Sequence, residues 1–438
     1  MEFKEKLISS HLAFEEDLDL TDSVHETRAQ ALKIFEEKGF PSKKDELWKY
    51  TSLDPLIHKD YSLFPKSEAS IELMDVKKYF LYDTDTYKVI FIDGVYNPFL
   101  SNTTHDGLDV CLMSAALSKP KYRDIINSYF NKIAPFDESL TALNTSYAKE
   151  GAFIYIPKKT VAEKPIEIIH FSSGEQDSLW LQPRNLIVID KNSQVQIIER
   201  HQSLKQHSVV TNSVTEIYVH EEAFVDYYKL QNDLTTASLI DNTYIQQEKN
   251  SHASVHTFSL GGKLIRNNLR YFHKGEHILS TLKGVTILEG KQHVDHSTLV
   301  HHSHPNCESH QDYKGIFSER SEGVFNGQIL VDKIAQKTNA FQQNNNVLLD
   351  DKATVNSKPQ LEIFADDVKC SHGCTIGQMD EEALFYLRSR GIPKKEAKAL
   401  MTYAFANNVL ESVQLPSLKK RINGQIARKL GVNLGFEL

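Results

Sequence analysis

From about Gly151 onward the chain is written in short runs such as FIYIP, PIEIIHF, NLIVID, VQIIE and FVDYYKL. Each is β-branched or alternating in polarity and is closed by a polar turn, which is the pattern of a strand. Helical periodicity is absent for roughly 200 residues. The runs also recur at a fixed distance. Val195 in SQVQI, Val225 in FVDYY, Val255 in SVHTF and Val285 in GVTIL are each 30 residues apart, and after an offset Phe325 and Val355 are 30 apart again. A fixed period of this size marks a repeat architecture. In a β-solenoid each coil lays its strands on those of the next, so 30 residues suit one full coil, or two short ones, of parallel strands. A β-sandwich with evenly spaced strands is the other arrangement compatible with these runs. The expected core is therefore a parallel β-solenoid over residues 151–375.

The flanks are written differently. Residues 1–150 read as a mixed, mainly helical domain. Ser23 and Glu26 form a capping box, and Val24, Ala31, Leu32 and Phe35 follow at helical spacing until Gly39 supplies a left-handed stop. Lys88 to Ile92 (KVIFI), then Asp93-Gly94 and Val95-Tyr96, predict a turn between two extended stretches. Residues 376–438 predict a helical module. Asp380 caps a helix opened by Glu381 and Glu382, and Gly391 and Pro393 separate it from the next. In that second helix Ala397, Leu400, Met401, Ala404 and Phe405 are expected on one face. In a third, begun by Pro416 and Ser417, Leu418, Ile422, Ile426 and Leu430 form the apolar face, and Lys419, Lys420, Arg421, Arg428 and Lys429 the solvated one.

Charge and cysteine usage bound the function. With 50 basic against 58 acidic residues in 438, the net charge of -8 offers no global field for nucleic acid. The N-terminus has no apolar core of a secretory signal and no 18-residue apolar run occurs, so a cytoplasmic protein without membrane contact is expected. Four cysteines, Cys111, Cys307, Cys370 and Cys374, are too few for a disulfide framework and are expected as free thiols or metal ligands.

The most reactive segment is Ala365 to Thr375 (ADDVKCSHGCT). In an extended strand Cys370, His372 and Cys374 share parity, so two thiols and an imidazole could face the same way. Such donors suit iron in Fe–S centres, zinc or copper(I). Three ligands from one short segment seldom close a four-coordinate site, so a partner chain or a transient ligand would have to complete it. The alternative is that Cys370 is a small buried hydrophobe and His372 a satisfied turn residue. The stretch from His293 to His310 holds six histidines and Cys307. Its spacing matches no zinc template, and ladders or solvated turns account for it as well as an accessory metal site does. The phosphate-binding GxxxxGK[ST], GxSxG and GxGxxG patterns are absent, so no self-contained ATPase, hydrolase or dinucleotide enzyme is indicated.

These residues carry a resemblance. PQLEIFADDVKCSHGCTIGQMDEEALFYLRSR (Pro359 to Arg390), GVFNGQILV, AQKTNAFQQNNNVLLDDKA, QHVDHSTLVHH and, near the start, ELWKYTSL are similar to the SufB/SufD family, on its SufD side. The resemblance implies a right-handed parallel β-helix flanked by mainly helical N- and C-terminal domains. It implies a non-catalytic scaffold of iron–sulfur cluster assembly that pairs with SufB through the β-helices and docks the ATPase SufC on its C-terminal helices, with a homodimer possible in isolation. It implies no tightly bound cofactor, only a transient Fe–S cluster or iron, with His372 and Cys370 as candidate ligands at the SufB interface. Cys374 stands where the pattern usually has alanine, which leaves its role open. Gln342-Gln343 stand near the place where SufB-like relatives carry a cysteine. The rival reading is a stand-alone β-helix metalloenzyme using the His293–His310 cluster.

Overall fold

The computed structural model describes residues 3–16, 18, 24–65, 69–81, 83–103, 107–135, 138–176 and 178–432. Its centre is a β-solenoid of about eight turns. Two ten-stranded sheets face each other, and successive strands along the coils fall alternately in one and the other. Neighbours along each stack are parallel, apart from antiparallel strands at the N-terminal end. The fold is thus the expected parallel β-helix with helices at both ends of the chain.

The 30-residue period holds as one full coil, but only part of it is register. Val195 pairs with Val225, as the spacing predicts. Val225 then pairs with Ala253, and Val255 with Tyr227 and Leu282, so the ladder expected through Val255 and Val285 does not form. Phe325 lies opposite Ser357, not Val355. The corners cause the drift. Lys159, Asn192, Glu222, Asn250, His277, Asn306 and Lys337, one per coil, all adopt left-handed backbone near φ +60° and are 27 to 33 residues apart. At most of them the corner amide donates to a carbonyl of the following coil, as Asn192 does to Glu221 and Glu222 to Lys249. Corners of unequal length add or remove residues without moving the strands off their rungs.

The middle strands are buried on both faces, which explains their near-continuous apolar runs. Inside, Val195, Ile197, Val225, Ile217, Ile245 and Val255 interdigitate. Each wholly buried aliphatic side chain contributes roughly 1.5–3 kcal/mol. Outside, the N-terminal helices cover one sheet through Phe3, Phe35, Trp48 and Leu143 against Trp180 and Val210. The C-terminal helices lie lengthwise on the other, with Val409, Leu410, Leu418, Ile422 and Ile426 on Tyr228, Phe258, Val285 and Ile316.

Local signals fare well. The Asp93-Gly94 turn joins Tyr87–Ile92 to Val95-Tyr96, with both turn residues left-handed. Gly39 ends the helix His25–Lys38 at φ 66°; the capping residue Ser23 lies outside the described residues. The Asp380 side chain accepts from the amides of Glu382 and Ala383. In the helix Lys394–Glu411 the buried face is Ala397, Ala399, Thr402, Ala406, Val409 and Leu410, while Ala404 is exposed, because the helix turns this stripe onto the solenoid wall. Nor are all the cations of the last helix solvated. Lys429 donates to the Leu260 carbonyl and Arg421 to those of Lys78 and Phe80, tying the helix down. Tyr87–Ile92 pairs with Ile166–Ser172, and the last strand continues to Gln378.

Candidate functional site

The C-terminal helices run back along the solenoid wall instead of across its end, so the last coil has no cover. Its two strands, Thr354–Ile363 and Lys369–Gln378, each pair on one side only, with Glu322–Val331 and Asn339–Leu348. Each therefore presents a ten-residue parallel edge whose main-chain donors and acceptors are half unpaired. Long bare edges of this kind template pairing with another strand.

Strand parity and register place the donors at this end. Cys370, His372 and Cys374 stand on Ala340, Gln342 and Asn344, which face the solenoid interior. The three donors share one face of the strand, on the side of a cross-section that no further coil fills. Cys370 is half-buried, while His372 and Cys374 are exposed. Burial pushes the Cys370 thiol above its ordinary pKa, against an opposing hydrogen bond with the Ala340 backbone. Beneath them lies a polar floor. Ser357 and Asn346 donate to Asn344 Oδ1 at 2.8 and 2.7 Å. Gln342 is wholly buried, and neither end of its amide has a hydrogen-bond partner. Gly327 leaves room for that amide: a β-carbon there would lie 2.4 Å from Gln342 Nε2.

The three donors do not converge on one another. Among the described residues, the grouping of three candidate metal ligands with mutual separations under 4.8 Å is His170, Glu199 and His201, far from this end. The terminal strand is thus an incomplete donor set on an open surface. Apolar side chains stand bare around it, Ile376 at 45%, Ile363 at 37% and Phe364 at 62% exposure.

The histidine-rich stretch disperses. His296 and His302 point inward to Thr286 and Ser309. His293 meets Thr51 and Glu322, His301 meets Asp332, and His310 meets Glu308. Cys307 is buried and its thiol donates to the Gly275 carbonyl. Each side chain has its own local partner, and no three of them form a ligand cluster among the described residues. The ladder reading accounts for this stretch, and the metalloenzyme reading has no assembled site there.

Two features went unread in the sequence. The bare apolar rim carries no periodic signal, because Ile376 and Phe364 are exposed only through where the chain turns away. The His170–Glu199–His201 group was hidden in apolar runs, and its only trace is the 31-residue step from His170 to His201, one coil long.

Comparison with known proteins finds similar sequences over most of this chain. A family profile described as "SUF system FeS cluster assembly, SufBD core domain" matches residues 170–405, and one described as "SufBD protein N-terminal region" matches residues 5–168. The chain is 33% identical over 403 residues to an iron–sulfur cluster assembly SufBD family protein of Synechocystis sp., covering 90% of this chain and 88% of that protein. It is 30% identical over 404 residues to the iron–sulfur cluster assembly protein SufD of Escherichia coli, covering 92% of each. Against SufD of Bacillus subtilis the identity is 28% over 319 residues, 71% of each chain.

Proposed function

The chain belongs to the SufBD family of SUF-system iron–sulfur cluster assembly proteins, and on that premise we propose that it is a non-catalytic scaffold subunit whose open solenoid end receives a SufB-type partner. The observation that carries this reading is the inward-facing row Cys370, His372, Cys374 on an uncovered pair of parallel edges. A partner with the same coil geometry satisfies both edges at once and brings the missing ligands. His372, with Cys370 beside it, then contributes to a shared site for iron or a nascent Fe–S cluster. Iron and cluster are cargo there, held for assembly and passed on, and the terminal strand of the isolated chain holds no cofactor tightly. Without the partner, a second copy can occupy the same edges, giving a homodimer.

The C-terminal helices supply a second surface. Phe385 and Tyr386 stand 72% and 57% exposed on the helix Glu381–Ser389, fitting a docking face for the SufC-type ATPase. That partner supplies the nucleotide chemistry for which this sequence has no phosphate loop. Among the described residues no helix is long and apolar enough to cross a membrane; a cytoplasmic location is part of the proposal.

Co-expression with SufB- and SufC-type chains tests this reading. The unaltered chain should co-purify with both, and Ile376→Lys with Phe364→Glu should release the SufB-type chain by placing charge on the edge. Purification of the unaltered chain free of either partner overturns the scaffold role.

A further inference from the structure

A second set of metal-ligating side chains lies at the other end of the solenoid. His170 sits on the strand Ile166–Ser172, and Glu199 and His201 on Gln194–Ser203, where alternation directs both inward. His170 pairs in register with His201, and their rings stack at 4.7 Å. Phe91 stacks on the far face of His170. Both Nε2 atoms face one carboxylate oxygen, Glu199 Oε1, at 3.6 Å from His170 and 3.8 Å from His201.

These separations are too long for hydrogen bonds, and both Nε2 atoms are buried without a hydrogen-bond partner. Two buried imidazole nitrogens at ion-pair distance from one carboxylate oxygen, with no hydrogen bond made, leave polar atoms unsatisfied unless something else occupies the space between them. Donors about 2.1 Å from a common ion and about 120–130° apart around it have these separations. The carboxylate is already oriented from behind. Tyr227 donates to Glu199 Oε2 at 2.6 Å and Asn185 to Oε1 at 3.3 Å, the outer contacts that a metal-binding carboxylate needs. Lys229, 4.0 Å from Oε2, is held by both oxygens of Asp241, which balance its charge. A turn of one imidazole about its soft terminal torsion brings the two lone pairs together. His170 keeps 10% of its side chain exposed and marks the way in.

We propose that His170, Glu199 and His201 bind one divalent first-row transition cation, Fe2+ or Zn2+, inside the N-terminal coils. Two neutral imidazoles and a carboxylate are the donors such ions favour, and the remaining coordination positions stay open. The site is distinct from the terminal strand. The ladder from His201 through Gln231, Ser259, Thr286, Gly315 and Asn346 to Ile376 is six rungs long, roughly 29 Å at about 4.8 Å per rung. An ion there sits within the protein and does not depend on a partner chain.

The test uses the purified full chain, stripped by chelator and loaded with Co2+, beside a variant in which Cys370→Ser, His372→Ala and Cys374→Ser remove the terminal donors. Both should keep one Co2+ per chain through desalting, without the charge-transfer absorption of thiolate ligation. In His170→Gln and Glu199→Gln retention should fall at least tenfold while circular dichroism is unchanged. Loss of Co2+ in the terminal-donor variant, or retention in His170→Gln, overturns the proposal. A measurement on the unaltered chain covers the case of misfolded variants. Hydrogen peroxide added to the Fe2+-loaded protein should oxidise His170 or His201, located by peptide mass spectrometry, and oxidation confined to other histidines overturns the site. Neither result depends on partner binding, so the scaffold reading stands or falls separately.

Discussion

His372 stands in register on Gln342, one rung above it, and the pair marks the boundary of the enclosed solenoid: the glutamine is wholly buried and the histidine is exposed. The two face the same interior, and only the absence of another coil above separates their environments.

Because His372 packs against little, His372→Ala should leave the unfolding free energy within about 0.5 kcal/mol, the range of ordinary surface substitutions. Iron and sulfide carried by the complex with the SufB-type chain should nevertheless fall severalfold. Chemical denaturation and metal analysis on the same preparation check both halves, and normal cluster content in the variant would falsify the ligand role.

Thiol reactivity should follow burial, since the thiolate is the nucleophile. Burial pushes both Cys111 and Cys307 up to about 11, and raises Cys370 less far. Cys374 is exposed. Iodoacetamide at pH 8 should therefore label Cys374 first, Cys370 more slowly, and Cys111 and Cys307 only after unfolding, as read by peptide mass spectrometry. In the partner complex Cys370 and Cys374 should both be protected.

Acid should weaken the fold earlier than carboxylate titration alone would. Burial holds His256 and His296 down to about 4 and His302 to about 3 in the folded chain. Unfolded, these histidines titrate near the ordinary imidazole value of about 6.5. Below that pH the unfolded state binds more protons, so stability is complete above 6.5 and is lost as pH falls toward about 4. Each contributes up to roughly 1.4 kcal/mol per pH unit in that window. Denaturation midpoints measured from pH 7.5 to 4.5 should decline across it, and a flat profile from 6.5 to 5 contradicts the assignment.

Coil spacing makes two glycines unequal. A β-carbon at Gly261 would lie 2.2 Å from the Asp233 carbonyl oxygen, backbone that cannot swing away, whereas at Gly373 it would meet nothing within 4 Å. Gly261→Ala should cost about 1–3 kcal/mol or more, while Gly373→Ala should be neutral in the isolated chain. Thermal midpoints compare them directly. If Gly373→Ala weakens partner binding without lowering the midpoint, the partner approaches that strand closely.

Much of this was legible in the sequence. Alternation within a strand, the left-handed Asp93-Gly94 turn, the Asp380 cap and the shared parity of Cys370, His372 and Cys374 depend on near neighbours along the chain, so residue type and spacing alone determine them. The coil length came from the same kind of pattern, because every coil must return to the same rung.

Which residues meet across coils was decided only in three dimensions. Corners vary by a few residues, so Val255 slides onto Tyr227 and Phe325 onto Ser357, and a constant spacing cannot report register. The histidines from His293 to His310 fall on both faces of a wall and find separate partners, while His170, Glu199 and His201, a coil apart in sequence, come together inside it. Above all, the open end exists because Val409, Leu418 and Ile422 bury themselves on the solenoid wall and carry the last helices away from the final coil. Residue type and spacing set the strands, the coil and the row of donors. The packing of distant apolar faces decided that this row would be left uncovered.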